Sequence, residues 1–410
     1  MSLLDNFLRY VKIDTQSSED VATNPTTAKQ FDLGNLLVDE LHKMGIVDAF
    51  IDEHCYVYAY IPSNTACHKT IGLIAHMDTA LEMPGKNVNP QVIKKYNGND
   101  IILNNEKDII MKVEDFPSLK DVIGHTIITT DGTTLLGADD KAGVAIIMEV
   151  LHLITKNHKL PHPNIIITFT PDEEVGMGTN SFNYNYYKEH HCSMAYTLDG
   201  GDVNVINYEN FNAASASIEI FGKSIHPGSA KGKMLNSILV AMEFQSMLPQ
   251  DLLPEKTEKY EGFNHLNDGE GSVEHTSLHY IIRNHNMELF RKQIADFYQI
   301  TDELNNKYGE GTIKTTITDS YYNMKDLILE HHEILDYAVK ALSNNGLNPT
   351  FDPIRGGTDG ARLSFEGILT PNLGTGGENY HGKYEYVSLN NMEKMVNVVL
   401  ELLKIISFNE

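Results

Sequence analysis

Hydrophobic positions recur along the chain with two periods. Leu3, Leu4, Phe7, Leu8 and Val11 fall on one helical face, and a second helical pattern covers 31–44. These two helices are predicted to cover a sheet. Apolar runs of strand length follow at 56–61 and 70–75. Residues 84–121 read as a polar insertion holding several turn signals. The pattern then predicts an amphipathic helix over 142–153, introduced by Gly137-Ala-Asp139-Asp140-Lys141. Three apolar runs stop abruptly at residues able to ligate a metal: Thr70-Ile-Gly-Leu-Ile-Ala-His76, Asn164-Ile-Ile-Ile-Thr-Phe-Thr-Pro-Asp-Glu-Glu174 and Met194-Ala-Tyr-Thr-Leu-Asp199. Runs this apolar read as buried parallel strands, whose carboxyl ends are where ligands bind in α/β proteins. The pattern points to one polar site on an α/β scaffold.

Between 211 and 319 the pattern changes to strand (213–221), helix (236–248), two strands (263–266 and 274–282), helix (287–308) and strand (312–318). That order is the β-α-β-β-α-β of a ferredoxin-like unit. Helical and strand patterns resume over 328–403. The predicted architecture is therefore a discontinuous α/β domain, 1–210 plus 320–410, with a mostly parallel sheet, interrupted by an inserted α+β domain at 211–319. A length of 410 residues agrees, since single cores tend to split beyond roughly 250–300 residues.

Composition narrows the function. Hydrophobic content of 41% and charged content of 21% fit an ordinary folded protein. The 32 Lys+Arg against 56 Asp+Glu give a formal charge of -24, which opposes binding to nucleic acid or to anionic membranes, so neither is expected as a partner. No apolar segment approaches the roughly 20 residues needed to span a bilayer, and Met1-Ser-Leu-Leu-Asp-Asn lacks the basic start of a signal peptide. A cytoplasmic location is expected. Cys55, Cys67 and Cys192 form neither an even set nor a C-x-x-C pair, so any metal is expected to be held by His and carboxylates.

His76-Met77-Asp78 puts an imidazole and a carboxylate two residues apart at a strand end, where alternate side chains share a face. Asp78 could orient the ring through its second nitrogen. Asp139 and Asp140 precede a helix; one could cap free N–H groups while the other coordinates. In Asp172-Glu173-Glu174 adjacent side chains diverge, so that one Glu could bind metal while the other takes a proton from water; a solvated loop is the bland alternative. Asp199-Gly200-Gly201 is either a turn or a ligand at a third strand end, and His381 lies in a Gly-rich loop. Two His and three carboxylates together suit two zinc ions, one carboxylate bridging metals roughly 3.5–4 Å apart.

At this point the motifs resemble a known family. From Tyr10-Val-Lys-Ile-Asp-Thr-Gln-Ser17 to Tyr380-His-Gly-Lys383 the chain is similar to the peptidase T family of tripeptide aminopeptidases, within the di-zinc metallopeptidase clan. The more specific stretches are Gly137-Ala-Asp-Asp-Lys141, Pro171-Asp-Glu-Glu174, His226-Pro-Gly-Ser-Ala-Lys-Gly232, Tyr280-Ile-Ile-Arg283 and Pro353-Ile-Arg-Gly-Gly-Thr-Asp-Gly-Ala361. The resemblance implies a di-zinc exopeptidase-like catalytic domain with an inserted lid, and two zinc ions per subunit. His76 and Asp199 would bind the first zinc, Glu174 and His381 the second, and Asp139 both. It further implies that Asp78 orients His76, that Glu173 is the general base, and that the peptide bond after Asp139 is cis. His226 would reach the substrate carbonyl oxygen, and Arg283 and Arg355 would clamp its terminal carboxylate. Lids of the clan often dimerise, so a homodimer is among the implied states. Two positions depart from the family pattern: Met177 replaces a basic residue and Glu378 an aromatic one. Rival readings are a dipeptidase or N-acyl-amino-acid deacylase of the same clan, and a non-catalytic metal-binding relative.

Overall fold

A computed structural model describes residues 2–21 and 23–409. The chain divides into two compact units. The first takes the chain up to Tyr208, Met324–Asp352 and the chain from Thr358 onward; the second takes Glu209–Asn323 and Pro353–Gly357. The short return segment 353–357 is invisible in the hydrophobic pattern. It is held in the second unit by polar contacts, with the Arg355 guanidinium donating to the carbonyls of Lys259 and Glu261 at 2.8 Å each.

The first unit is built on an eight-stranded sheet. Its centre is Asn164–Thr170, Thr70–His76, Ala195–Gly200 and Asn372–Gly374, four neighbouring strands that run parallel. Val57–Ile61 and Val205–Asn207 pair antiparallel on either side of these four. Every residue of Thr70–His76 is buried, which is why its sequence shows no alternation. The helices Leu3–Tyr10, Gln30–Lys43, Ala138–Lys156, Glu333–Asn344 and Leu389–Ser407 contribute to one large core with this sheet. A separate aromatic-rich cluster holds Tyr56, Tyr58, Ile74, Ile166, Phe182 and Tyr187. Side chains of adjacent strand positions, such as Leu73 and Ile74, thus enter different cores.

The stretch read as a polar insertion is more ordered than its composition suggests. It carries the strands Gln91–Ile93, Ile101–Asn104 and Ile109–Met111 and a 3-10 turn, Pro117–Val122. Tyr96, Ile101, Leu103, Met111, Leu119, Val122, Ile127 and the distant Tyr386 form a small core of their own. Its apolar residues are dispersed among polar ones, so no periodic window exposes them.

The second unit has a four-stranded antiparallel sheet in which Asn212–Phe221 lies between His275–Asn284 and Ile313–Tyr321, with Phe263–Gly271 at one edge. The helices Ser237–Met247 and Met287–Tyr308 share a core with it, where Phe244, Tyr280, Phe290 and Phe297 are buried. Its element order is the β-α-β-β-α-β read from the sequence.

Candidate metal centre

Because the four central strands of the first unit are parallel, their carboxyl ends share one edge. His76 is the last residue of its strand and Asp199 the penultimate residue of another. Ile74 pairs with Thr197, so His76 and Asp199, each two residues further on, stand side by side. His76 Nε2 lies 3.4 Å from Asp199 Oδ1 and 2.9 Å from Asp139 Oδ1.

Asp139 arrives from the start of Ala138–Lys156, where it and Asp140 have non-helical dihedrals and the bond between them is cis. The two acids face different partners. Asp140 accepts from the backbone N–H of His76 at 3.2 Å and of Gly143 at 3.1 Å, whereas Asp139 turns toward the imidazoles. The helix can come this close to the Asp199 strand only because residue 143 is glycine: a Cβ there would stand 2.0 Å from the Leu198 carbonyl oxygen. The loop before Asp139 is held by a residue the sequence reading missed. The buried Glu385 carboxylate accepts from the N–H groups of Leu136 at 2.7 Å, Gly137 at 2.9 Å and Asp139 at 3.1 Å. No local signal marks Glu385 in Gly382-Lys-Tyr-Glu385; the loop it holds lies about 250 residues upstream.

Glu173 and Glu174 follow the Asn164–Thr170 strand. Asp78 Oδ1 accepts from Glu173 N–H at 3.0 Å and Oδ2 from Glu174 N–H at 3.2 Å, while Oδ1 also lies 3.3 Å from His76 Nδ1. The hydrogen bond at His76 Nδ1 is to the Asp78 main-chain carbonyl oxygen at 3.1 Å, so that residue 78 meets the imidazole while its carboxylate holds the backbone N–H groups of both glutamates. Glu174 Oε2 lies 2.9 Å from His381 Nε2. His381, at a φ of 58°, also brings Nε2 to 3.4 Å from Asp139 Oδ2, and its Nδ1 stands 3.2 Å from Glu82 Oε1. Asp139 therefore offers one oxygen to each imidazole.

The electrostatics follow from crowding acids in a desolvated place. Burial, then the nearby Asp139 charge, pushes the Glu174 carboxyl up to about 8. Burial likewise takes Asp199 to about 7 and, with the Asp199 charge, carries Glu173 well above the usual range. Burial alone would lower the His76 imidazole, but Asp199, Asp139 and Asp78 carry it well above the ordinary histidine value. Hydrogen bonds to Asp139 and Glu174 push His381 up to about 11.

A cation fits this arrangement. Among the described residues the buried Glu174 Oε1 meets no hydrogen-bond partner, which costs about 1–3 kcal/mol unless positive charge meets it. Donor atoms of His76, Asp139 and Glu174 lie within 4.8 Å of one another, as do those of His76, Asp140 and Asp199. Asp140 is already committed to two backbone N–H groups.

His226, Arg283 and Arg355 belong to the second unit. His226 is exposed and its Nδ1 accepts from Gly228 N–H at 3.2 Å. Arg283 donates to the carbonyls of Ala214 and Ile282 and lies over the Tyr321 ring. Arg355 also donates to Thr257 Oγ1 at 3.1 Å and lies over the rings of Phe211 and Phe263.

No helix among the described residues is long and apolar enough to cross a membrane. Residues 130–405 match the family described as peptidase family M20/M25/M40. Peptidase T of Clostridium novyi (strain NT) is 49% identical over 407 residues, 99% of each chain, and peptidase T of Bacillus subtilis (strain 168) is 50% identical over 403 residues, 98% of each. Among solved structures, a tripeptidase from Staphylococcus aureus subsp. aureus mu50 aligns with a TM-score of 0.78 at 25% identity, covering 99% of this chain and 98% of its own. With identity of this level running end to end and the matched region spanning Asp139 to His381, the chain belongs to peptidase family M20/M25/M40, in its peptidase T branch.

Proposed function

We propose that the chain is a zinc-dependent aminopeptidase that releases the N-terminal residue of tripeptides. The observation that carries the metal reading is Asp139, whose two oxygens face two different imidazoles in a buried cluster of acids. His76 and Asp199 would hold one zinc, Glu174 and His381 the other, and Asp139 both. When bound, such ions lower the pKa of water and polarise a carbonyl oxygen. Asp78 holds His76 by Nδ1, leaving Nε2 to the metal side of the ring. Glu173 is the general base: it accepts a proton from the attacking water and returns it to the leaving amine. Its backbone is fixed through the N–H bond to Asp78, so its carboxyl enters the site from a defined origin.

His226 is assigned to the developing oxyanion, and Arg283 and Arg355 to the substrate carboxylate, for which a guanidinium fork is suited. Met177 and Glu378 are assigned to side-chain preference. The peptidase T relatives support this reading over a dipeptidase or deacylase. The test is a panel of free di-, tri- and tetrapeptides beside N-acylated amino acids, with and without chelator. Preference for free tripeptides, abolished by chelation and restored by zinc, is expected; preference for N-acyl amino acids would overturn it.

A further inference from the structure

Asp172 precedes the two glutamates and takes no part in the chemistry described above. It is fully buried, its φ is 57°, and its side chain meets residues from near the start of the chain. Its carboxylate accepts four hydrogen bonds: at Oδ2 from Asn24 Nδ2 (2.7 Å) and Thr26 N–H (2.8 Å), at Oδ1 from Thr26 Oγ1 (2.5 Å) and Gln30 Nε2 (2.6 Å). Gln30 Oε1 accepts from the Asp172 N–H at 3.2 Å, so that one glutamine grips both ends of the residue.

The same segment is tied to the loop that carries Asp78. Gln16 Nε2 donates to the carbonyls of Ala80 and Met83 at 2.8 Å each, and Ser17 N–H to that of Thr79 at 3.3 Å. Thr27 Oγ1 donates to the Gln16 carbonyl at 2.8 Å, joining the two sets of ties. Upstream, the buried Lys141 donates to the Ile13 carbonyl at 2.8 Å. Residues 13–17 and 24–30 thus form a strap across the loop after Thr70–His76 and the loop after Asn164–Thr170. The Glu173–Glu174 backbone is then held from two sides, by Asp78 on its own N–H groups and by the strap through Asp172.

We propose that Asp172 is a positioning residue for Glu173 and that the strap residues Thr26 and Gln30 act through it, setting the register between the Asp78 loop and the glutamate loop. The catalytic part rests on the reading of Glu173 as general base; the clamp itself does not. Four acceptor contacts on a desolvated carboxylate leave it one orientation, and Glu173 begins at the next peptide unit. A displacement of about 1 Å at a reacting group can cost about a hundredfold in rate. Loss of the clamp is therefore read in turnover before it is read in substrate binding.

The test uses the full chain with Thr26→Val, which removes one side-chain donor, and Gln30→Met, which removes a side-chain donor and the acceptor of the Asp172 N–H, together with Asp172→Asn and the conservative Thr26→Ser. Amide exchange of the metal-free protein is read at Glu173 and Glu174, with the preceding strand as internal control. Expected in the valine and methionine variants is exchange at those two amides faster by about tenfold or more, with the strand unchanged. In the zinc-loaded protein kcat falls about 10- to 100-fold while KM stays within about threefold and metal content matches the wild type. Thr26→Ser restores both properties. Unchanged exchange at the two amides, activity lost only in proportion to metal lost, or a serine variant as impaired as the valine one would each overturn the proposal. Should the wild type fail to cleave tripeptides, the functional reading falls and the exchange result alone decides the clamp.

Discussion

Glu385 is the support of the site that admits the most direct energetic test. Its carboxylate is 1% exposed and is the acceptor for three backbone N–H groups in the loop that delivers Asp139. Glu385→Ala removes that acceptor. Each buried N–H left without a partner costs about 1–3 kcal/mol. Water entering the vacated volume recovers part of this, so the net loss is about 3–5 kcal/mol. At about 2–4 °C per kcal/mol for a domain of this size, the expected fall in Tm is about 10 °C. Glu385→Gln is a finer probe. Two of the donors meet Oε2 and the third, Asp139 N–H, meets Oε1. An amide placed to keep the pair must turn its NH2 toward Asp139 N–H, so the expected cost is that of one orphaned donor, about 1–3 kcal/mol. Calorimetry on metal-free protein at pH 8 compares the ionised form, since burial pushes the Glu385 carboxyl up to about 7. A Tm for Glu385→Ala within about 2 °C of wild type would refute the reasoning, because three buried donors cannot lose their partner at so small a cost.

Other expectations follow from the same geometry. Glu173→Ala is expected to keep both metals by elemental analysis and to lose about 10²- to 10⁴-fold in kcat, the usual worth of a general base; near wild-type turnover with metal retained would remove that role. Asp139→Ala is expected to lower the affinity for both ions, since its oxygens face both imidazoles; two tightly held zincs in a titration would refute bridging. Burial lowers Lys141 from the usual 10.5 to about 7. The unfolded chain therefore binds the extra proton between those values, and stability rises with pH across that window. Lys141→Met is expected to gain on the wild type most below pH 7 and to lose that advantage toward pH 10.5; a pH-independent difference in Tm would contradict the buried charge.

Much of the fold is legible in the residue pattern because the scaffold is built from long, strongly biased segments. The inserted unit reads correctly from Asn212–Phe221 to Ile313–Tyr321, each strand and helix being bounded by turn residues and having a period of its own. Residues 84–121 do not read this way. Their core is assembled from scattered Ile, Leu and Tyr residues together with Tyr386, which no local window contains. Pro353–Gly357 also escapes, because polar contacts of Arg355 rather than hydrophobic burial hold it in the second unit.

The sequence by itself determined that His76, Glu174 and Asp199 would lie at one edge of a sheet. Short apolar runs rich in β-branched residues read as buried strands, and parallel strands end together. Between neighbours the residue pattern decided nothing: only the family resemblance implied different roles, and the tertiary structure shows which groups each side chain meets. Asp140 faces backbone N–H groups while Asp139 faces the imidazoles, and Glu174 rather than Glu173 meets His381. Adjacent acids share one local composition, so periodicity and spacing alone do not separate them. What separates them is the direction each side chain takes and the distant groups it meets: the N–H groups of residues 76 and 143, His381, and the strap that holds Asp172.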